Sequence, residues 1–88
     1  MIERRITIVN ALGLHARAAA RFVKVASQFK SHIKVRHGSR TMDGKSILGL
    51  LLLAAARGTA IEIVAEGSDE HDAIAALCGL AERGFEDS

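Results

Sequence analysis

Four short stretches of this chain alternate apolar and polar residues, which is typical of β-strands with one buried face and one solvated face. These stretches are residues 6–9, 32–36, 40–42 and 61–64. Sheets that are solvated on one face are commonly antiparallel, and their other face must be covered by a second layer. The pattern therefore predicts a four-stranded, mainly antiparallel sheet that is covered on one side.

Three other segments carry the sequence signals of helices. The first covers 16–29, the second is a leucine-rich segment from Ser46 to a stop at Gly58, and the third follows an N-cap at Ser68 or Asp69. The apolar face of the third helix comprises Ala73, Ile74, Leu77, Leu80 and Ala81. We predict an α+β fold, a two-layer open-faced sandwich of order β-α-β-β-α-β-α with three helices on one face of the sheet.

The end of the chain carries a helix stop and then a short acidic tail. Gly84 followed by Phe85 matches a Schellman ending, in which Phe85 folds back toward Leu80. The tail that follows, 86–88, is expected to fray.

The chain of 88 residues is long enough for one small domain, 1–88, which buries about 60–65% of its unfolded surface. Its apolar share of 49% suffices for a core but leaves no room for the deep cleft of a multi-substrate enzyme. The lone Cys78 excludes an internal disulfide and is expected to be a buried structural thiol. The first residues lack the apolar core of a signal peptide, and the longest apolar run, 47–56, is about half the ~20 residues of a membrane helix. We expect a cytoplasmic binding or carrier module without membrane insertion.

Charge is distributed unevenly along the chain. Residues 1–45 hold ten Lys or Arg against two acidic residues, whereas 46–88 hold two against eight. In the first helix Arg17, Arg21 and Lys24 share one face, which we call the basic ridge. The ridge is either a solvated helix face or a docking surface for an acidic partner, protein or nucleic acid. Stacking onto single-stranded nucleic acid uses aromatic residues, and the chain has three Phe and no Trp or Tyr, so we expect no nucleic-acid partner.

His15 immediately precedes the first helix, where backbone N–H groups have no intrahelical partner and carry partial positive charge. Such a helix start binds phosphate readily, and an imidazole is nucleophilic near neutral pH. Arg17 can add charge-assisted hydrogen bonds to the oxygens of a phosphoryl group carried on His15. The alternative is a polar loop with a chance histidine. The other histidines match no familiar zinc-ligand spacing, so we predict neither a metal site nor a cofactor.

Ser46 opens the second helix and has two interpretations. As an N-cap it stabilises the helix by about 1 kcal/mol. As a phosphorylation site it would place negative charge at a helix start, where the dipole tolerates it. The run Gly44-Lys45-Ser46 has the form of a P-loop ending, but the required glycine five residues before Gly44 is absent, which excludes nucleotide binding.

The leucine-rich segment that follows Ser46 is apolar on every side, so it must be buried or face a partner. In a two-layer domain one side points outward, and helical spacing puts Ile47, Leu48 and Leu51 on that side. We call these three residues the apolar patch. The residues predicted to point inward are Leu50, Leu53 and Ala54.

Three motifs stand out along the chain: Gly13-Leu14-His15-Ala16-Arg17, Gly44-Lys45-Ser46-Ile47-Leu48-Gly49 and Ala65-Glu66-Gly67. Together they resemble the HPr phosphocarriers of the bacterial phosphoenolpyruvate-dependent phosphotransferase system. The resemblance covers essentially the whole chain, and the first two motifs at this separation make it specific.

The resemblance implies that His15 accepts a phosphoryl group on Nδ1 from phosphorylated Enzyme I and passes it to a histidine of an Enzyme IIA-type protein. Arg17 matches the active-site arginine of the family. Ser46 matches the regulatory serine, which an HPr kinase/phosphorylase modifies in some bacteria. The apolar patch matches the docking surface that the partners share. The expected molecule is a monomeric carrier and not an enzyme.

One residue departs from the family pattern, because Ala18 follows the arginine where the family usually has proline. Alanine should keep the helix while loosening its entry slightly, and we expect transfer to survive. The ending 83–87 resembles the nitrogen-related relatives, NPr, which leaves both a sugar-uptake and a regulatory relay open. A second hypothesis is a regulatory binding protein that is controlled by Ser46 phosphorylation, without phosphotransfer through His15.

Overall fold

The computed structural model describes residues 1–87 and has the predicted order of elements. The elements are β1 (Ile2–Thr7), α1 (Ala16–Ala26), β2 (His32–His37), β3 (Arg40–Asp43), α2 (Ile47–Leu52), β4 (Ala60–Glu66) and α3 (Glu70–Glu82), followed by a single 3₁₀ turn (Gly84–Glu86). The strands lie in the order β1-β4-β2-β3, and all three pairings are antiparallel. The predicted α+β sandwich is confirmed.

The core lies between the sheet and the helices. Alternate residues of β2 and β4 point into it, and α3 packs on β1 and β4 while α1 packs on α2 and α3. The predicted apolar face of α3 is confirmed, since all five of its residues are buried. Among the described residues no helix has the length and apolar character that crossing a lipid bilayer requires.

The bounds of β1 and α1 differ from the prediction. β1 runs from Ile2 to Thr7 and not over 6–9, because it pairs with residues 60–65 of β4, from Ile2↔Ala65 to Thr7↔Ala60. α1 ends at Ala26, where the prediction continued to Phe29, because the amides of Gln28 and Phe29 form turn bonds to carbonyls three residues back.

The second helix is much shorter than predicted. It ends at Leu52, and Ala54 then adopts a left-handed φ of 51°, so Gly58 is not the helix stop. Leu50 and Leu53 point inward as predicted, whereas the prediction for Ala54 is wrong because its side chain is exposed. The chain leaves the helix here because the following residues bind other segments: the carbonyl of Ala55 accepts from the amide of Leu14 at 2.9 Å.

Asp69 is the N-cap residue of α3, but its carboxylate binds another segment. It accepts hydrogen bonds from the hydroxyl and amide of Ser31 and from the amide of Lys30. Ser31 is almost completely buried. The Ser31 hydroxyl and then the Lys30 amide lower the pKa of the Asp69 carboxyl below its usual value. Asp69 thus ties the start of α3 to the start of β2.

Acid should destabilise the fold through Asp69. Because its pKa is lower in the folded protein than in the unfolded chain, its stabilising effect is complete above the ordinary pKa near 4 and is lost as the pH falls through the folded value. We expect the melting temperature to decrease as the pH is lowered below about 4. The decrease should be less steep in Asp69→Asn, which is already destabilised at neutral pH. Thermal melts from pH 7 to pH 2 measure this, with Asp72→Asn on the exposed side of α3 as the control. Parallel curves for Asp69→Asn and the intact chain would contradict this assignment.

Candidate functional site

His15 is held at the end of a loop that is fixed from both sides. The side-chain amide of Asn10 donates to the carbonyl of Gly13 at 2.7 Å, and the backbone amide of Leu14 donates to the carbonyl of Ala55 at 2.9 Å. Gly13 itself has a φ of 65°, in the left-handed region that favours glycine. The loop therefore delivers His15 to the first turn of α1 with little freedom.

The imidazole of His15 caps α1. Its backbone is extended, and Nδ1 accepts a hydrogen bond from the amide of Arg17 at 3.2 Å. The first turn of α1 contains no acidic residue, so its amide groups keep their partial positive charge. The side chain of His15 is 21% exposed, which leaves the ring accessible at the surface.

The side chain of Asp87 lies on the other edge of the ring. Its Oδ2 is 2.7 Å from Nε2 of His15, and its Oδ1 accepts from Nε and Nη2 of Arg17 at 3.1 and 2.7 Å. Only 7% of the Asp87 side chain is exposed. The bond to His15, together with the Arg17 guanidinium, lowers the pKa of the Asp87 carboxyl to about 2. Asp87 is therefore an ionised part of the site at neutral pH.

The prediction that the tail frays is wrong for its described part. Nη1 of Arg21 donates to the carbonyls of Phe85 and Glu86 at 3.0 and 2.9 Å. Phe85 is completely buried in the core. These contacts bring Asp87 to the start of α1. Ser88 lies outside the described residues.

Two members of the basic ridge thus make contacts within the chain. Arg17 binds Asp87 and Arg21 holds the tail, whereas Lys24 is exposed one turn further along α1. Ala18, whose effect the sequence left open, is completely buried on the inner side of α1. Alanine therefore fills a core position in the first turn, next to the site.

Ser46 and the apolar patch lie together on α2. The hydroxyl of Ser46 accepts from the amide of Gly49 at 3.0 Å, which is the predicted N-cap contact. Ile47, Leu48 and Leu51 are 43%, 68% and 37% exposed, so they point outward as predicted. Leu52, which the prediction did not include, is 50% exposed and extends the apolar surface.

Two residues of the site were not identified from the sequence. Asn10 closes the His15 loop, and the pairing of an asparagine with a glycine three residues later is the local signal for such a turn. Asp87 reaches His15 from 72 residues away, a separation over which no spacing rule applies. The described residues contain no group of three or more His, Cys, Asp or Glu side chains arranged to hold a metal ion.

The chain is similar to phosphocarrier proteins over almost its whole length. A family model described as "PTS HPr component phosphorylation site" matches residues 2–83. A phosphocarrier protein HPr from Neisseria meningitidis is 50% identical over 80 residues, which are 91% of this chain and 90% of that protein. A phosphocarrier protein NPr from Shewanella violacea is 38% identical over 87 residues, 99% of this chain and 96% of that protein.

Solved structures of similar sequence have the same fold. The crystal structure of HPr-C-His from Thermoanaerobacter tengcongensis superimposes with a TM-score of 0.95 at 43% sequence identity. The superposition covers 100% of this chain and 99% of that chain.

Proposed function

We propose that His15 is the phosphoryl acceptor of this chain, which belongs to the HPr family of phosphocarriers of the phosphotransferase system. In this proposal His15 takes the group from phosphorylated Enzyme I on Nδ1 and passes it to an Enzyme IIA-type protein. The observation that carries it is the contact of Nδ1 with the amide of Arg17 at the start of α1.

The start of α1 supplies what a phosphoryl group on Nδ1 needs. Its backbone amide groups without an intrahelical partner can donate hydrogen bonds to anionic oxygens, and no acidic side chain in the first turn of the helix competes for them. The guanidinium of Arg17 is 59% exposed, so it can turn from Asp87 toward such a group with little desolvation. The ring lies at the surface, where a protein partner can reach it and take the group away. These features suit a carrier better than an enzyme that encloses its substrate.

Incubation with Enzyme I and radiolabelled phosphoenolpyruvate tests the proposal. We expect one phosphoryl group per chain, with the acid-labile, base-stable bond of a phosphohistidine, and mass spectrometry should place it on His15. The remaining histidines, His32, His37 and His71, should stay unlabelled. An acid-stable label, or a label on another histidine, would disprove the assignment.

We assign docking of partners to the basic ridge and the apolar patch, and Lys24 offers the cleanest test of the ridge. Arg17 and Arg21 hold Asp87 and the tail, so their replacement would change the site as well as the charge. Lys24→Glu should slow association with Enzyme I by roughly three- to tenfold at low salt, and less at high salt. Stopped-flow transfer at several ionic strengths measures this. Lys34→Glu, on the exposed face of β2, is the matched control. If both variants associate with Enzyme I at the same rate, the basic ridge is a solvated helix face and not a docking surface.

We further propose that phosphorylation of Ser46 by an HPr kinase/phosphorylase weakens docking. The half-buried hydroxyl begins α2 and is followed at once by the exposed Ile47 and Leu48. A phosphate there adds about −1.5 to −2 charges beside an apolar contact surface. Ser46→Asp should raise the Kd for an Enzyme IIA-type partner roughly tenfold. Ser46→Asn is the matched control, because asparagine is as good an N-cap without the charge.

Comparison of Ser46→Asp with His15→Ala addresses the alternative of a regulatory binding protein without phosphotransfer. That hypothesis predicts that Ser46→Asp disrupts a partner complex while His15 variants behave as the intact chain. Phosphotransfer predicts instead that the His15 variants lose the label. The proposal describes a cytoplasmic monomer that meets its partners in turn. Transfer from the labelled chain to sugar-type and nitrogen-type Enzyme IIA proteins distinguishes the two branches.

A further inference from the structure

The ring of His15 is held by two hydrogen bonds whose directions are both determined. The amide of Arg17 can only donate, so Nδ1 of His15 must accept and carry a lone pair. On the other edge, the ionised carboxylate of Asp87 can only accept, so Nε2 must donate a proton. The two contacts together define the neutral tautomer with the proton on Nε2, because the Arg17 contact requires an unprotonated Nδ1 and the Asp87 contact requires a proton on Nε2.

We propose that Asp87 is a positioning residue for phosphoryl transfer, which holds the proton on Nε2 of His15 so that Nδ1 presents its lone pair at the start of α1. This inference rests on the proposed function of His15 and adds a residue to it. Asp87 lies beyond residues 2–83, which the family model matches. Its role therefore follows from the contacts of this chain.

The geometry around Asp87 suits a fixed partner. Each carboxylate oxygen has its own donor: Oδ2 faces His15, and Oδ1 takes both bonds from Arg17. The backbone before Asp87 is anchored by Arg21 and by the buried ring of Phe85. A carboxylate held this way can set both the tautomer and the orientation of an imidazole, as an aspartate does in a Ser-His-Asp triad.

The transfer step shows why the charge of Asp87 matters. The lone pair of Nδ1 leaves its hydrogen bond with the Arg17 amide and forms a bond to phosphorus. The bond between phosphorus and the donor protein breaks, its electron pair staying with the donor. Nε2 of His15 keeps its proton throughout. The neutral ring therefore becomes cationic as it receives the group, and the carboxylate 2.7 Å from Nε2 balances that charge. When the group leaves for the next protein, the ring returns to the same neutral tautomer.

Asp87→Asn removes this charge with almost no change of shape. Its amide can donate to Nε2, which competes with the present tautomer. We expect the second-order rate constant for transfer from phosphorylated Enzyme I to fall about 10- to 100-fold, the effect of one charge-assisted hydrogen bond. Nitrogen-15 NMR of the unphosphorylated protein should show Nδ1 without a proton in the intact chain and a tautomer mixture in Asp87→Asn. A merely structural role would not produce this spectral change.

Glu86→Gln is the matched control, because it removes one charge from the neighbouring side chain, which does not contact His15. It should retain the intact chain's tautomer and rate. An unchanged tautomer and rate in Asp87→Asn would overturn the inference, and a faster rate would show that Asp87 obstructs the acceptor. Either result, with His15 labelled in the intact chain, leaves the proposed function standing. An intact chain that takes no label on His15 would instead refute the proposed function.

Discussion

Replacing His15 by alanine should abolish phosphoryl acceptance while leaving the domain folded. The imidazole is the only group of the first turn that offers phosphorus a nitrogen lone pair, so no neighbouring side chain can substitute for it. The stability loss should be moderate. The variant loses an N-cap, which is worth about 1 kcal/mol, and the contact between the ring and Asp87. Labelling from phosphoenolpyruvate and a urea unfolding curve measure the two effects separately.

A second substitution separates the chemistry from the cap. Asparagine is among the best N-cap residues, so His15→Asn should recover the stability that His15→Ala loses and still take no label. His71→Asn, on the exposed start of α3, should take the label fully. Substantial labelling of His15→Asn would mean that the acceptor lies elsewhere in the chain.

Gly13→Ala should be among the most destabilising single-methyl changes in this molecule. The added Cβ would lie 2.5 Å from the carbonyl oxygen of Ala55, and the φ of 65° is unfavourable for any residue with a side chain. The left-handed backbone costs about 1–2 kcal/mol and overpacking typically costs about 1–3 kcal/mol. We expect a loss of about 2–5 kcal/mol, measured by urea unfolding. Since Leu14 bonds the same carbonyl, displacement there should also move His15 and slow transfer in the folded fraction.

Gly38→Ala isolates the steric part of this effect. Gly38 has a similar φ of 61°, but a Cβ there meets no atom within 4 Å. Gly38→Ala should therefore lower the free energy of unfolding only by the cost of the left-handed backbone, about 1–2 kcal/mol, and leave phosphotransfer unchanged. Equal losses in the two variants would mean that Ala55 moves aside at little cost.

The order of elements was predictable because most of them carry a strong local pattern. Ile33 and Val35 alternate with polar neighbours, and the structure places both in the core. The start of β1 was missed because Arg4 interrupts the alternation. Arg4 pairs with Ile63, on the face of the sheet that points to the core. Because β1 is an edge strand, the arginine side chain can lie on this face and still reach solvent.

The end of α2 shows where local signals fail. Residues 54–56 are three alanines, the best helix formers, so the sequence favours a longer helix there. In the structure Ala54 leaves the helix and the carbonyl of Ala55 binds the loop before His15. A tertiary contact with Leu14, 41 positions earlier, overrides the propensity, and no local window contains it.

The site was predictable in the part that is contiguous in sequence. His15 and Arg17 lie within three residues at a helix start, so their joint chemistry follows from spacing alone. Asp87 joins them only because Arg21 and Phe85 direct the end of the chain back to α1. An acidic residue near a chain terminus normally indicates a solvated tail. Only the folded structure distinguishes such a tail from one that contacts the site, as Asp87 does.

The central place of β4 in the sheet has a consequence for synthesis of the protein. β4 pairs with β1 on one side and β2 on the other, so no nascent chain that lacks residues 60–66 can close the sheet. His15 leaves the ribosome early, but the strands that support its loop, and Asp87 beside it, arrive late. Domains dominated by such distant pairings fold slowly and as a unit. A ribosome that pauses before β4 therefore displays His15 without the contacts that hold it in the folded protein.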